Sequence, residues 1–273
     1  MAEEFECEEC GRSFDTKRGL ASHRRQAHEE GEEGSMASIT ITGLPALATV
    51  LVIGALIGFS MGTAFSGNPA VPAKTGQQSI TDRVDGVSSD KIASLMEENR
   101  DSLLQEIRTD MREAQSVGVS ATPGFIIYGK DGTGENIMGA QPYQNFASVI
   151  DAQKNGAGGN ISVANVSTVN EPYIGSKSAP VTMVYWFDYQ CPFCGRFEKQ
   201  TLPRLKENYV KQGELRIVFK DFPFLGKDSR TAALASGAVW NKYPEKWPEW
   251  HATVFDNQGR ENSGWASREK LVG

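Results

Sequence analysis

Between Gly34 and Ala73 the chain carries no Asp, Glu, Lys or Arg, and inside that stretch Leu44 to Phe65 reads LPALATVLVIGALIGFSMGTAF. About 20 apolar residues are what a helix needs to cross hydrocarbon, so this segment predicts a transmembrane helix over 44–65 that divides the chain. A soluble core helix is rarely apolar on every face over such a length. A cleaved signal starting at Met36 would want positive charge ahead of it, where HEEGEEGSM is acidic. Lys17, Arg18, Arg24 and Arg25 precede the segment, whereas only Lys74 and Arg83 follow it closely. The positive-inside bias therefore puts the N-terminus in the cytoplasm and the bulk of the chain outside. Gly54, Gly58 and Gly62 repeat the GxxxG spacing that lets two membrane helices approach, which leaves a homodimer open.

The four cysteines form two pairs, Cys7/Cys10 and Cys191/Cys194, with the same CxxC spacing. Their surroundings separate them. Cys7 and Cys10 are followed by His23 and His28, giving C-x2-C-x12-H-x4-H, with Phe14 and Leu20 spaced to fill a very small core. Two thiolates from a hairpin and two imidazoles from one helix face complete a tetrahedron, so residues 1–30 are expected to be a ββα zinc finger holding structural Zn²⁺. Nucleic acid is an unfavourable partner for it. The helix positions that would face bases hold Thr16, Gly19 and Ser22, which offer no bidentate pairing, and residues 1–34 carry ten acidic against five basic side chains. The formal charge of the whole chain, −6, points the same way.

Cys191 and Cys194 have no second ligand pair; of the three histidines only His251 remains. A zinc site there would be two ligands short. The pair instead follows the apolar run PVTMVYWFDY, a buried strand pattern, and opens a helix whose first residue is Pro192. A thiol at that junction meets unpaired backbone N–H groups and the positive end of the helix dipole, which stabilise a thiolate. Cys191 is thus the expected attacking sulfur, and Cys194, one helical turn on, the resolving one.

At these residues the sequence resembles the DsbA-like thiol oxidoreductases of the thioredoxin superfamily. FDYQCPFC is similar to their active-site strand and motif, RIVFKDFPF to the strand that follows, GVSATPGFIIYGK to the loop whose cis-proline packs beside the dithiol, and IMGAQPYQNFASVID to the closing strand and helix. The resemblance implies a thioredoxin-like α/β fold with a helical insertion. It also implies protein thiols and disulfides as substrates, a redox partner that resets the dithiol, and no organic cofactor. Thr122 and Pro123 would form the cis-Pro loop and pair with an extended substrate segment; Pro192 and Phe193, lacking a polar donor between the cysteines, imply a milder oxidant with Phe193 as contact surface.

The order of the blocks departs from that family, in which the dithiol half comes first. Here a C-terminal-type half at 89–153 precedes an N-terminal-type half at 179–273, the two joined by a flexible linker over 154–178. A linker at 31–43 and a stalk at 66–88 flank the membrane helix. Circular permutation, completion of each half by a second molecule, and a rearranged, incompletely folded product all remain open. So does a second function class, in which the chain is a membrane-tethered adaptor with a non-catalytic thioredoxin-like region.

Overall fold

The structure is a computed structural model that describes residues 5–6, 13–14 and 78–273. Two compact units divide the chain, 1–68 and 69–273. In the first, β1 (Phe5–Glu6) and β2 (Ser13–Phe14) pair antiparallel with Phe5 opposite Phe14. Cys7, Cys10, His23 and His28, the 44–65 segment, and its Gly54, Gly58 and Gly62 lie outside the described residues. Among the described residues no helix is long and apolar enough to cross a membrane, and no cluster of His, Cys, Asp and Glu could hold a metal ion.

The second unit runs α1 (Ser89–Glu98), α2 (Arg100–Ser116), β3 (Gly124–Tyr128), β4 (Thr133–Met138), α3 (Tyr143–Lys154), β5 (Ile161–Ser162) and β6 (Tyr173–Ile174). It continues through β7 (Val181–Phe187), α4 (Pro192–Gln200), α5 (Leu202–Leu205), β8 (Leu215–Asp221), α6 (Lys227–Lys242), α7 (Trp247–Asp256) and α8 (Arg268–Val272). One six-stranded sheet, ordered β5-β4-β3-β7-β8-β6, collects every strand of the unit. The β7–β8 pair is parallel and the others are antiparallel.

The central pairing joins the 89–153 region to the 179–273 region within one chain: β3 lies antiparallel to β7, with Gly124 opposite Trp186 and Tyr128 opposite Thr182. The sheet thus runs continuously through strands of one chain. The Ile80 amide donates to the Lys270 carbonyl at 2.8 Å, so this segment sits beside α8.

Along β7 the period-2 alternation sends Val181, Met183, Tyr185 and Phe187 to one face and Val184 and Trp186 to the other. Both faces are covered, which is why the sequence reads as a nearly unbroken apolar run. On the first face Phe125, Phe146, Tyr185 and Phe197 meet ring to ring, with Phe125 centred 4.9, 4.8 and 4.6 Å from Phe146, Tyr185 and Phe197. The second face packs against Ala114, Val117 and Val119 at the end of α2.

Two expectations need correction, on residues 79–88 and on the 154–178 connection. Residues 79–88 are not stalk: Ile80, Val84 and Val87 are buried in the core, and the Ser88 hydroxyl accepts the Lys91 amide at 3.3 Å to cap α1. The 154–178 connection is not a loose tether, because it supplies β5 and β6, the two edge strands of the sheet. Strand β4 begins at Thr133, well before Ile137. The tryptophan-rich C-terminal region is core more than surface: Trp247 and Trp250 are fully buried, with their indole N–H groups donating to Ser236 at 3.1 Å and Thr81 at 3.0 Å. Composition showed the aromatics but not which surface they would cover.

Candidate redox site

Strand β7 delivers the chain into the loop Asp188-Tyr189-Gln190, and Cys191 takes the N-cap position of α4 with Pro192 at its start. Proline loses nothing there, since the N–H it lacks would have no partner in the first turn. Both cysteines are free thiols and both are buried; Cys194 has no exposed surface, whereas Phe193 beside them is 50% exposed with the Arg196 guanidinium 5.0 Å from its ring centre. The Thr122–Pro123 peptide is cis, and it lies against the dithiol: the Cys191 thiol donates to the Thr122 carbonyl at 3.4 Å. Thr122 and Cys191, 69 residues apart in sequence, thus meet at one point.

The two sulfurs are not equivalent. A hydrogen bond from the Cys194 thiol is the largest influence on Cys191 and, with the Thr122 side chain and the amides of Cys194 and Phe193, brings it down to about 6 against the opposing effect of burial. The Thr122 hydroxyl is buried without a partner in the thiol form, so its donor is available when the sulfur ionises. Burial, followed by the Cys191 sulfur itself, drives Cys194 well above the ordinary thiol range. Cys191 is therefore the sulfur that ionises first, and the remaining proton stays on Cys194.

Around this pair lies a polar frame that sequence patterning did not reveal. Asp188 accepts the Gln190 amide on one oxygen at 2.8 Å and the Phe224 and Leu225 amides on the other, both at 3.0 Å, tying the active loop to the turn after β8. The Gln190 side chain donates to Ser229 at 2.9 Å and accepts the Asn262 amide at 2.6 Å. The Gln258 side chain donates to the carbonyls of Tyr189 at 2.7 Å and Cys191 at 2.9 Å. A cleft of about 660 Å³ opens beside them, lined by Gln190, Pro192, Gln258, Gly259, Arg260 and Glu261. Beneath, His251 bridges Tyr189 at 2.8 Å and Glu198 at 3.1 Å, which makes it a core histidine with both ring nitrogens engaged. No periodicity links Asp188, Gln190, Gln258 and Asn262, and a lone amide side chain in a polar loop carries no signal of its partner.

Comparison with known proteins covers part of the chain. Residues 167–270 match the thioredoxin family model, and residues 5–28 the C2H2-type zinc finger model. Disulfide bond formation protein D of Bacillus subtilis is 33% identical over 110 residues, 40% of this chain and 50% of that protein. Probable disulfide bond formation protein D of Bacillus cereus is 32% identical over 99 residues, 36% of this chain and 46% of that one. Among solved structures, oxidised BdbD from Bacillus subtilis aligns at 34% identity with a TM-score of 0.36, covering 37% of this chain and 54% of that one. The chain spans about half the length of the curated relatives it matches. The thioredoxin match contains Cys191 and Cys194 and leaves out Thr122 and Pro123, although the two segments share one sheet.

Proposed function

We propose that this chain is a membrane-anchored thiol–disulfide oxidoreductase that exchanges disulfides with proteins outside the cytoplasm through Cys191 and Cys194. The observation that carries the reading is the asymmetry of the pair: an easily ionised Cys191 at a helix N-terminus over a fully buried Cys194, with Thr122 and Pro123 alongside. In the reductive half, the Cys191 thiolate attacks one sulfur of a substrate disulfide and the other leaves as a thiolate that takes up a proton. Cys194 then gives up its proton and attacks the Cys191 sulfur. The second substrate thiolate departs, leaving the substrate reduced by two electrons and a Cys191–Cys194 disulfide. Oxidation of a substrate dithiol is the same path reversed. The low pKa of Cys191 makes it the better leaving group and stabilises the reduced pair, which favours the oxidising direction.

Cys191→Ser is expected to abolish exchange, while Cys194→Ser accumulates mixed disulfides visible on a non-reducing gel. Parent-like activity in either variant would remove the assignment, and the adaptor reading would take its place. A redox partner must reset the dithiol, and Phe193, half exposed next to Pro192, suits contact with either protein.

The anchor rests on the 44–65 segment, with the redox unit outside, where an oxidising compartment gives a dithiol of this kind its use. Release of the full chain from membranes by alkaline carbonate would overturn the anchor. In the N-terminal unit Cys7, Cys10, His23 and His28 would hold Zn²⁺, which supplies the tetrahedral crosslink that so small a module needs. The described β1–β2 pairing, Phe5 opposite Phe14, is the hairpin such a module uses.

A further inference from the structure

Gln258 stands 67 residues beyond Cys191, in the turn after α7, yet its Nε2 donates to two carbonyls of the active loop, Tyr189 at 2.7 Å and Cys191 at 2.9 Å. The Cys191 carbonyl also accepts the Gly195 amide at 3.1 Å, the first hydrogen bond of α4. Without Gln258 the Tyr189 carbonyl, two residues before Cys191, would be left at a partly buried position, and the Cys191 carbonyl would keep the Gly195 amide as its donor. Carbonyl oxygens carry partial negative charge, and negative charge close to a sulfur opposes its ionisation. Donors on those oxygens relieve that opposition and fix the backbone from which the Cys191 side chain springs.

The seat for this side chain depends on a second residue. A Cβ at Gly195 would collide with Gln258 Oε1, and its other nearest neighbours are also Gln258 atoms, so glycine at this helical position leaves the space that the amide fills. Glycine inside a helix costs about 1 kcal/mol relative to alanine. Its φ is not in the left-handed region, so the backbone does not demand it. The neighbouring amide does. Gly195 and Gln258 therefore form one device: an absent side chain on α4 and an amide from the helical insertion that reaches into the gap.

We infer that Gln258 is a positioning residue that clamps the Tyr189 and Cys191 carbonyls and thereby favours the Cys191 thiolate, and that Gly195 exists to admit it. The inference rests on Cys191 being the reactive thiol, and the test separates the two claims.

In reduced full-length chain, the rate of iodoacetamide alkylation at Cys191, resolved by peptide mass spectrometry, is followed against pH. If the parent titrates as an ordinary thiol, the catalytic reading fails before Gln258 is considered. With a depressed parent value, Gln258→Ala should lower the rate near pH 6 by about three- to tenfold, the effect of losing one to two modest hydrogen bonds. The rate in alkaline buffer, where both proteins hold thiolate, should stay the same. Gln258→Glu, equal in size but offering acceptors where donors stood, should shift the profile further than alanine. Gly195→Ala should reproduce Gln258→Ala, and the double variant should add nothing to either. A parent-like profile for Gln258→Ala would overturn the inference. So would an equal loss of rate at both ends of the pH range, which would mean altered access and not thiolate stabilisation. Additive effects of the two substitutions would overturn the Gly195 claim.

Discussion

Lys220 offers a sharp test of how the unit is held together. Its ammonium is completely buried near the end of β8 and contacts three carboxylates, Asp110 at 2.6 Å, Glu113 at 2.9 Å and Glu171 at 2.7 Å. Asp110 and Glu113 come from α2 of the first half and Glu171 from the connection, so one cation pins three segments of the reversed arrangement. Burial opposes its charge, yet Asp110 and Glu171 together hold the lysine above its ordinary pKa. The carboxylates are in surplus: burial and then Glu171 push Asp110 up to about 7 even though Lys220 opposes them. Asp221 next to the cluster is raised as well, first by burial and then by Asp110. Lys220→Met keeps the volume and stem but leaves these charges without a cation. Breaking a buried pair from one side costs about 3–5 kcal/mol.

The pH dependence gives the sign. Groups whose folded pKa lies above the unfolded value add stability at low pH and lose it as pH rises through the folded pKa. For Asp110 that window runs from about 4 to about 7. Without Lys220 the carboxylates bind protons more readily, so the penalty of Lys220→Met should be largest near pH 8 and shrink toward pH 5. Urea unfolding of the full chain, followed by tryptophan fluorescence at both pH values, measures it. A loss below about 1 kcal/mol near pH 8, the range of a surface pair, would refute the reasoning. So would a loss that is the same at both pH values.

Three further outcomes follow from the same contacts. Alkylation of Cys191 in the parent should rise from acid pH with a midpoint near 6, because the reactive species is the thiolate and appears as pH passes that value; a midpoint near that of a free thiol contradicts the site geometry. Phe125→Ala, which empties the centre of the Phe146, Tyr185 and Phe197 ring cluster, should destabilise the redox unit by about 3–5 kcal/mol in urea unfolding; a loss under 1 kcal/mol would mean that the cluster closes over the gap. Purified full-length chain should carry one zinc per molecule by atomic emission, and Cys10→Ser should release it without changing Cys191 reactivity; metal-free parent protein would remove the finger reading.

The chemistry of the site was legible wherever it depends on neighbours in sequence. CPFC after an apolar strand singles out the candidate dithiol, and what lowers Cys191 is also local, first the Cys194 thiol three residues on and then the amides at the start of the helix. Ser88 capping α1 and the rings of β3 and β7 follow from short-range rules as well. The frame around the dithiol was not legible. Asp188, Gln190, Gln258 and Asn262 are single polar residues in loops, and their hydrogen bonds join positions up to 72 residues apart. Glu171 read as part of a flexible connection, yet it contacts a buried lysine.

Local pattern thus singled out the candidate pair and the main strands and helices around it, since period, capping and turn chemistry act over a few residues. The reversed order of the halves left three outcomes open, because sequence order does not limit which strands pair once the ends lie close. Only the tertiary structure placed β3 against β7, turned the connection into two edge strands, and brought Thr122 to Cys191. Long-range hydrogen bonds and the burial of Lys220 among its carboxylates depend on the packed geometry of distant segments, which no stretch of sequence holds by itself.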